Sequence, residues 1–289
     1  MEIVTVDIIL PVKNRDTVTV VVETIINAIR AAERITLGQI ILCDGGSTES
    51  VCLSQIAAVD RYARVRVLRC NYLEFNKGQL INRGLAETTA EIVLISDIDI
   101  LWKSEALDAI ALCAFNYRRH ICSVLDVRES DPTAKAVRRK RYTYKLERKN
   151  SLEAKELHTR IEICDASLND DKRPGCGIVC AQKSVFKAIG GYKECFVGWG
   201  WEDQDLLIRA QLLGYQVLAL GEVTHLSHGD ERRSLTESSI EASRDRNIAR
   251  CLNGLLQKRF VGDFPGNHAV YTGTLSVRYP SELEPRIKS

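Results

Sequence analysis

Beyond Met1 the 289-residue sequence contains no methionine, so its core has to be built from Ile, Leu, Val and Ala. An excess of one charge is missing as well: forty Lys and Arg stand against thirty-eight Asp and Glu, a net of +2. Proteins that grip nucleic acid by neutralising phosphates carry a clear basic surplus, so nucleic acid is excluded as the main partner. No apolar run reaches the ~18 residues of a membrane span, because the stretch Val18–Ile29 is interrupted by Glu23. The opening residues Met1–Asp7 lack the basic region and small-residue cleavage site of a secretory signal. CxxC pairs are absent too. Ten cysteines are scattered along the chain, and Cys176 and Cys180, four apart in an extended segment, do not match zinc spacing. Reduced, mostly buried thiols and a cytoplasmic location are expected, with peripheral membrane contact left open. No internal repeat is visible.

What is present is a core-forming composition, 45% hydrophobic, long enough for one large domain or two small ones at ~100–200 residues each. The β-branched segment Ile3–Val12 reads as a buried strand, and Asp16 stands where it could cap a helix running to about Glu33. The alternation continues with strand Gln39–Cys43, a helix from about Glu49, strand Arg64–Cys70, helix Lys77–Glu87 and strand Glu91–Ser96. Such alternation predicts a mostly parallel, doubly wound sheet with ligands beyond the carboxyl ends of its strands. The segment Ser130–Asn169 is polar, with little strand character, and includes the run Arg138–Arg141. It reads as an insertion with a solvated helical face, or as a basic surface for an acidic acceptor or membrane. Strand Gly177–Ala181, helix Lys183–Ile189, helix Glu202–Leu213 and strand Gln216–Leu220 follow, then a helix Ser234–Lys258 and a Pro-, Gly- and Ser-rich tail.

Three groups of residues carry chemistry. Asp97 and Asp99 bracket one residue at the end of the apolar run Ile92–Ile95 and would face the same way in extended chain. Two such carboxylates share a cation or a hydroxyl-rich ligand, although turn or cap chemistry also explains an Asp-x-Asp triplet. His225 and His228, three apart, can converge on one point from a turn. With Asp99 they leave three octahedral positions, and imidazoles favour Mn²⁺ over Mg²⁺, which remains the alternative. In Gly198-Trp199-Gly200-Trp201-Glu202-Asp203, indoles and glycines run into an acidic helix start. The acids can serve the helix dipole, or act as a base and hydroxyl acceptors beside an aromatic sugar platform.

Together these residues resemble the inverting glycosyltransferases of the GT-A fold, in particular the β-1,4-galactosyltransferases and glycosyltransferase family 2. The resemblance runs in order over residues 5–230. It comprises Ile9–Arg15, Phe75–Gly84, Ser96–Asp99, Gly175-Cys176-Gly177 with Phe186 and Gly190-Gly191-Tyr192, Gly198–Asp203, and His225 with His228. It implies an α/β, Rossmann-like, mostly parallel twisted sheet flanked by helices. The implied layout is one transferase domain over 1–260, with a nucleotide-binding half at 1–100, a polar insertion at 130–170, an acceptor and catalytic half at 173–230, and a tail at 261–289. By the same resemblance Pro11, Val12, Lys13 and Arg15 hold uridine and diphosphate, and Asp44 meets the base. Phe75 and Lys77 line the nucleotide pocket, and Asp97, with Ile98, approaches the ribose. Asp99, His225 and His228 hold the metal. Trp199 packs on a sugar, Glu202 orients hydroxyls, and Asp203 is the general base. The implied partners are a UDP-sugar donor and a glycan, glycolipid or other hydroxyl-bearing acceptor. Two departures stand out: Gly45 replaces the second acid of the usual Asp-Asp-Gly-Ser, and Trp201 occupies a place that is glycine in the galactosyltransferases.

Rival readings are weaker. A nucleotide-sugar pyrophosphorylase needs a glycine-rich loop after the first strand, and Pro11–Arg15 has no glycine. A metal-dependent hydrolase could use Asp99 and the histidines without a tryptophan platform. A catalytically silent sugar-binding module would bind sugar and release no nucleotide.

Overall fold

In the computed structural model, residues 3–72, 74–131, 142–150, 157–166, 172–229 and 237–287 are described. The first strand, β1 (Val4–Val12), is buried along nearly its whole length. Its apolar side chains point alternately into two different cores, Ile8 and Leu10 into one and Ile9 into the other. The same division recurs in β2 (Ile35–Asp44) and β4 (Ile92–Ile95). Strands covered on both faces need continuous apolar runs, which is how these segments read in sequence.

Helices α1 (Val18–Ala31), α2 (Ser50–Val59) and α4 (Ser104–Asn116) supply the first core, and α3 (Lys77–Glu87), α5 (Lys183–Ile189), α6 (Glu202–Leu212) and α7 (Ile240–Leu256) the second. Between them lies an eight-stranded sheet of order β3-β2-β1-β4-β9-β6-β10-β5. Its remaining strands are β3 (Val65–Arg69), β5 (Ile100–Leu101), β6 (His120–Glu129), β9 (Lys172–Gln182) and β10 (Gln216–His225). Only β9 and β5 pair antiparallel to their neighbours, so the expected mostly parallel sheet is present.

Several boundaries differ from expectation. Thr17, not Asp16, precedes α1, and no side chain caps it. Strand β10 runs five residues beyond Leu220, because Gly221, at φ +76°, passes through without losing register against β6. That extension delivers His225 to the sheet edge. Helix α7 starts after Ser239, whose side chain accepts from Ala242 N at 3.0 Å.

The segment 130–169 corrects the sequence reading most. It contains β7 (Tyr142–Asn150) and β8 (Leu157–Asp165), paired antiparallel, with β11 (Thr274–Arg278) from the tail parallel to β8. Thr159, Ile161 and Ile163 are buried while the intervening residues are not. The abundance of charge hid a period-two pattern in which one face is apolar. The run Arg138–Arg141 lies outside the described residues. The tail buries Phe264, Leu283 and Ile287.

Candidate active site

Four strand ends build one edge of the sheet. Beyond β1, Asn14 adopts φ +50°, and its Oδ1 accepts from Thr48 N at 2.7 Å and Glu49 N at 3.1 Å, which starts α2 and fastens the first loop to the second. Asp44, at the end of β2, is buried, and its Oδ1 accepts from Ser47 N at 2.9 Å. Lys13 donates to the Tyr72 carbonyl at 3.4 Å. Pro11, Val12 and Ile98 are buried, and the Ile98 carbonyl accepts from the Thr17 hydroxyl at 2.5 Å, so these three bring backbone rather than side chains to the edge. Phe75 is half-buried beside Gly45.

The carboxylate and the two late histidines, 126 and 129 residues apart in sequence, meet. Antiparallel pairing sets His225 opposite Ile100, and Leu226 N donates to Asp99 O at 2.7 Å. Asp99 Oδ2 lies 3.5 Å from His225 Nε2 and 3.2 Å from His228 Nε2. One ligand atom from each residue falls within 4.8 Å of the others. The donor set is one oxygen and two imidazole nitrogens, which suits a transition ion such as Mn²⁺ better than Mg²⁺.

Two carboxylates, Asp99 and Glu129, flank the His225 ring at this point. Burial opposes charge on Asp99, yet hydrogen bonds from His225 and His228 outweigh it and hold the carboxyl well below the usual carboxylate range, with Arg15 contributing. His225 Nδ1 meets Glu129 Oε2 at 2.7 Å. Burial alone would lower His225, but Asp99 and Glu129 push it up to about 9, and Glu129 is held at about 2 despite its own burial. A proton thus occupies His225 where a metal would need a neutral ring. Glu129 also accepts from the Ser227 hydroxyl at 2.9 Å.

A second cluster gathers around Lys77 at the start of α3. Its ammonium lies 2.9 Å from Asp97 Oδ1, 2.9 Å from Asp203 Oδ2 and 3.7 Å from Glu202 Oε1. The Tyr192 hydroxyl donates to Asp203 Oδ1 at 3.3 Å. Gly177 of β9 is the floor: a Cβ there would stand 2.7 Å from Asp203 Oδ2. Burial raises Glu202 to about 8, with the Asp203 charge adding to it, and burial raises Asp203 as well. Glu202 Oε2 is buried without a hydrogen-bond partner in the described structure.

The indole platform is held from behind. Trp201 is buried at φ +77°, in the left-handed region where glycine is unstrained and an indole is not. Trp199 is half-buried, and Ser243 Oγ both accepts from its N–H and donates to its carbonyl at 2.9 Å. Asn247 donates to Gly200 O at 2.8 Å.

The sequence reading missed Glu129, Ser243, Asn247 and the working roles of Tyr192 and Gly177. The spacing of Ser243 and Asn247, four apart on the buried face of α7, was a usable signal. Glu129 had none, because its role comes from lying opposite His225 in the β6–β10 pairing.

The family model for glycosyl transferase family 2 matches residues 7–170, more than half of the chain, and the model described as the N-terminal domain of galactosyltransferase matches residues 155–229. No curated protein matches the sequence. Among solved structures, GalNAc-T7 with UDP, GalNAc and Mn²⁺ aligns with a TM-score of 0.60 at 13% identity, over 86% of this chain and 48% of that one. The mannosyltransferase PcManGT from Pyrobaculum calidifontis, in complex with GDP-Man and Mn²⁺, aligns at 0.51 and 14% identity, over 87% and 64%. S. aureus TarS 1–349 in complex with UDP aligns at 0.51 and 15%, over 89% and 72%. The chain therefore spans about half the length of GalNAc-T7 and under two thirds of the mannosyltransferase. At these identities the likeness is one of fold, the GT-A fold. On the match over residues 7–170, the chain belongs to glycosyl transferase family 2.

Proposed function

We propose that the protein is a metal-dependent inverting glycosyltransferase. It moves a hexose, namely galactose, N-acetylgalactosamine or glucose, from a UDP-sugar to a hydroxyl of a glycan, glycolipid or other acceptor. The observation that carries the reading is the convergence of Asp99, His225 and His228 within 4.8 Å at the carboxyl edge of the sheet. The solved relatives of this fold that hold UDP or GDP-Man and Mn²⁺ support it. Residues 1–100 form the nucleotide side in this reading, residues 173–230 the acceptor side, and the whole of 1–260 one transferase domain.

Asp99, His225 and His228 would hold the ion, which when bound supplies Lewis-acid stabilisation of charge on the departing diphosphate. Lys13 and Arg15 add positive potential from the loop after β1. Asp203 takes the proton of the acceptor hydroxyl as that oxygen bonds to the anomeric carbon and the bond to the nucleoside diphosphate breaks. General-base catalysis of this kind is worth ~10²–10⁴-fold. Because attack and departure occur on opposite faces of one carbon, configuration inverts. Glu202, with its unpartnered buried oxygen, accepts a sugar hydroxyl, and Trp199 offers an apolar face to the ring.

A panel of UDP-, GDP- and dTDP-sugars with Mn²⁺, scored for slow hydrolysis in the absence of acceptor, tests this. One UDP-hexose is expected to be turned over, and Asp203→Asn is expected to lose turnover while keeping metal and UDP affinity. Absence of turnover with every donor, or a near-normal rate in Asp203→Asn, contradicts it.

A further inference from the structure

The resemblance assigns Lys77 to the lining of the nucleotide pocket, yet its ammonium is spent on carboxylates. It is 2.9 Å from Asp203 Oδ2 and 3.2 Å from Asp203 Oδ1, and 2.9 Å from Asp97 Oδ1. The side chain is buried, and its root is fixed. Asn76 caps α3 by accepting from Gln79 N at 2.9 Å and donates to Glu194 O at 2.7 Å, while Gly78 brings the helix so close to the Lys193 carbonyl that a Cβ would lie 2.8 Å from it.

We propose that Lys77 is a positioning residue for the base: its ammonium keeps the Asp203 carboxylate ionised and aimed, and its grip on Asp97 ties that base to the donor side of the cleft. The proposal rests on the reading of Asp203 as the base. A buried carboxylate beside two others prefers to be protonated, and a protonated Asp203 accepts no proton from a hydroxyl. The groups facing Asp203 are Lys77 from α3, Asp97 from the loop after β4, Glu202 from α6, Tyr192 from the loop before α6, and Cys176 from β9. Burial first, then the Asp97 charge, push the proton on. Lys77 and the Tyr192 hydroxyl pull it off. Burial and the Asp203 charge push Cys176 up to about 12, so it stays a neutral thiol. Burial disfavours the Lys77 charge, and Asp203, Asp97 and Glu202 together more than restore it.

The test is a ¹³Cγ-aspartate NMR titration of the wild type, Lys77→Met and Lys77→Arg, with Asp203→Asn to assign the signal, alongside pH profiles of donor turnover. Removing the cation is expected to move the Asp203 midpoint upward by about one pH unit or more, with Lys77→Arg close to wild type. The acid limb of the turnover profile is expected to move the same way, with donor KM little changed. An unmoved midpoint in Lys77→Met, or a loss confined to donor KM, overturns the proposal and returns Lys77 to the nucleotide. If Lys77→Met does not fold, the neutral but polar Lys77→Gln replaces it, and the same two outcomes decide. A wild type inactive with every donor overturns the transferase reading alone, because the titration still reads the pairing of Lys77 with Asp203.

Discussion

The 2.7 Å contact between Glu129 and His225 Nδ1 decides which ring nitrogen faces Asp99. A carboxylate behind a histidine ligand fixes its orientation and raises its basicity, and losing such a partner costs ~10–100-fold in metal affinity. Glu129→Gln is therefore expected to weaken Mn²⁺ binding by about that factor in calorimetry, and unchanged affinity would contradict the assignment. Glu202 carries a different consequence. Its carboxyl sits at about 8 in the fold, against an ordinary 4.5, so the native state binds the extra proton between these values. Stability from this group is fully present below the unfolded value and is lost as pH rises toward the folded one. Glu202→Gln is expected to flatten the fall in melting temperature across that window, and an unaltered slope would show that the carboxyl is not the source. At this scale His225 and His228 were legible from their spacing of three and Asp99 from its place just after an apolar run, although His225 ends strand β10 and does not lie in a turn. Glu129 was not, since no local pattern links it to a histidine 96 positions away.

Elements turn those residues into a site. Helix α7 contributes no reacting group, but Ser243 and Asn247 seize the backbone of the Gly198–Trp201 loop. Both side chains are buried, and removal of one strands a carbonyl without its donor. Asn247→Ala is expected to cost about 1–3 kcal/mol in chemical denaturation and to lower turnover by loosening the approach to Asp203. A variant as stable and as active as wild type would mean that the loop holds itself. Helix α3 works in the same manner: Asn82 donates to Tyr192 O at 2.9 Å and accepts from Tyr192 N at 3.0 Å, which seats the phenol over Asp203. The buried Arg209 braces the same loop through Ile189 O and Gly191 O, both at 2.8 Å, and pairs with Asp205 at 2.6 Å. The βα alternation of the first hundred residues was readable because buried parallel strands are apolar throughout. Strands β7 and β8 were not, because a sheet with one solvated face spreads its apolar residues to every second position among charges.

Over the whole molecule, the sheet separates two cores and leaves its carboxyl edge open, and the chemistry-bearing residues from positions 13 to 228 collect along that edge. The order of motifs in the sequence predicted this gathering. The strand order, with β9 reversed between β4 and β6, was beyond it, since register depends on contacts from 44 to 90 residues apart. The central claim is that this edge holds a divalent ion for an activated sugar. Crystals soaked with MnCl₂ and UDP, measured at the manganese absorption edge, test it most directly. The account predicts one anomalous peak bonded to Asp99 Oδ2, His225 Nε2 and His228 Nε2, with the diphosphate beside it. A peak elsewhere, or nucleotide bound with no ion at these three residues, would contradict it.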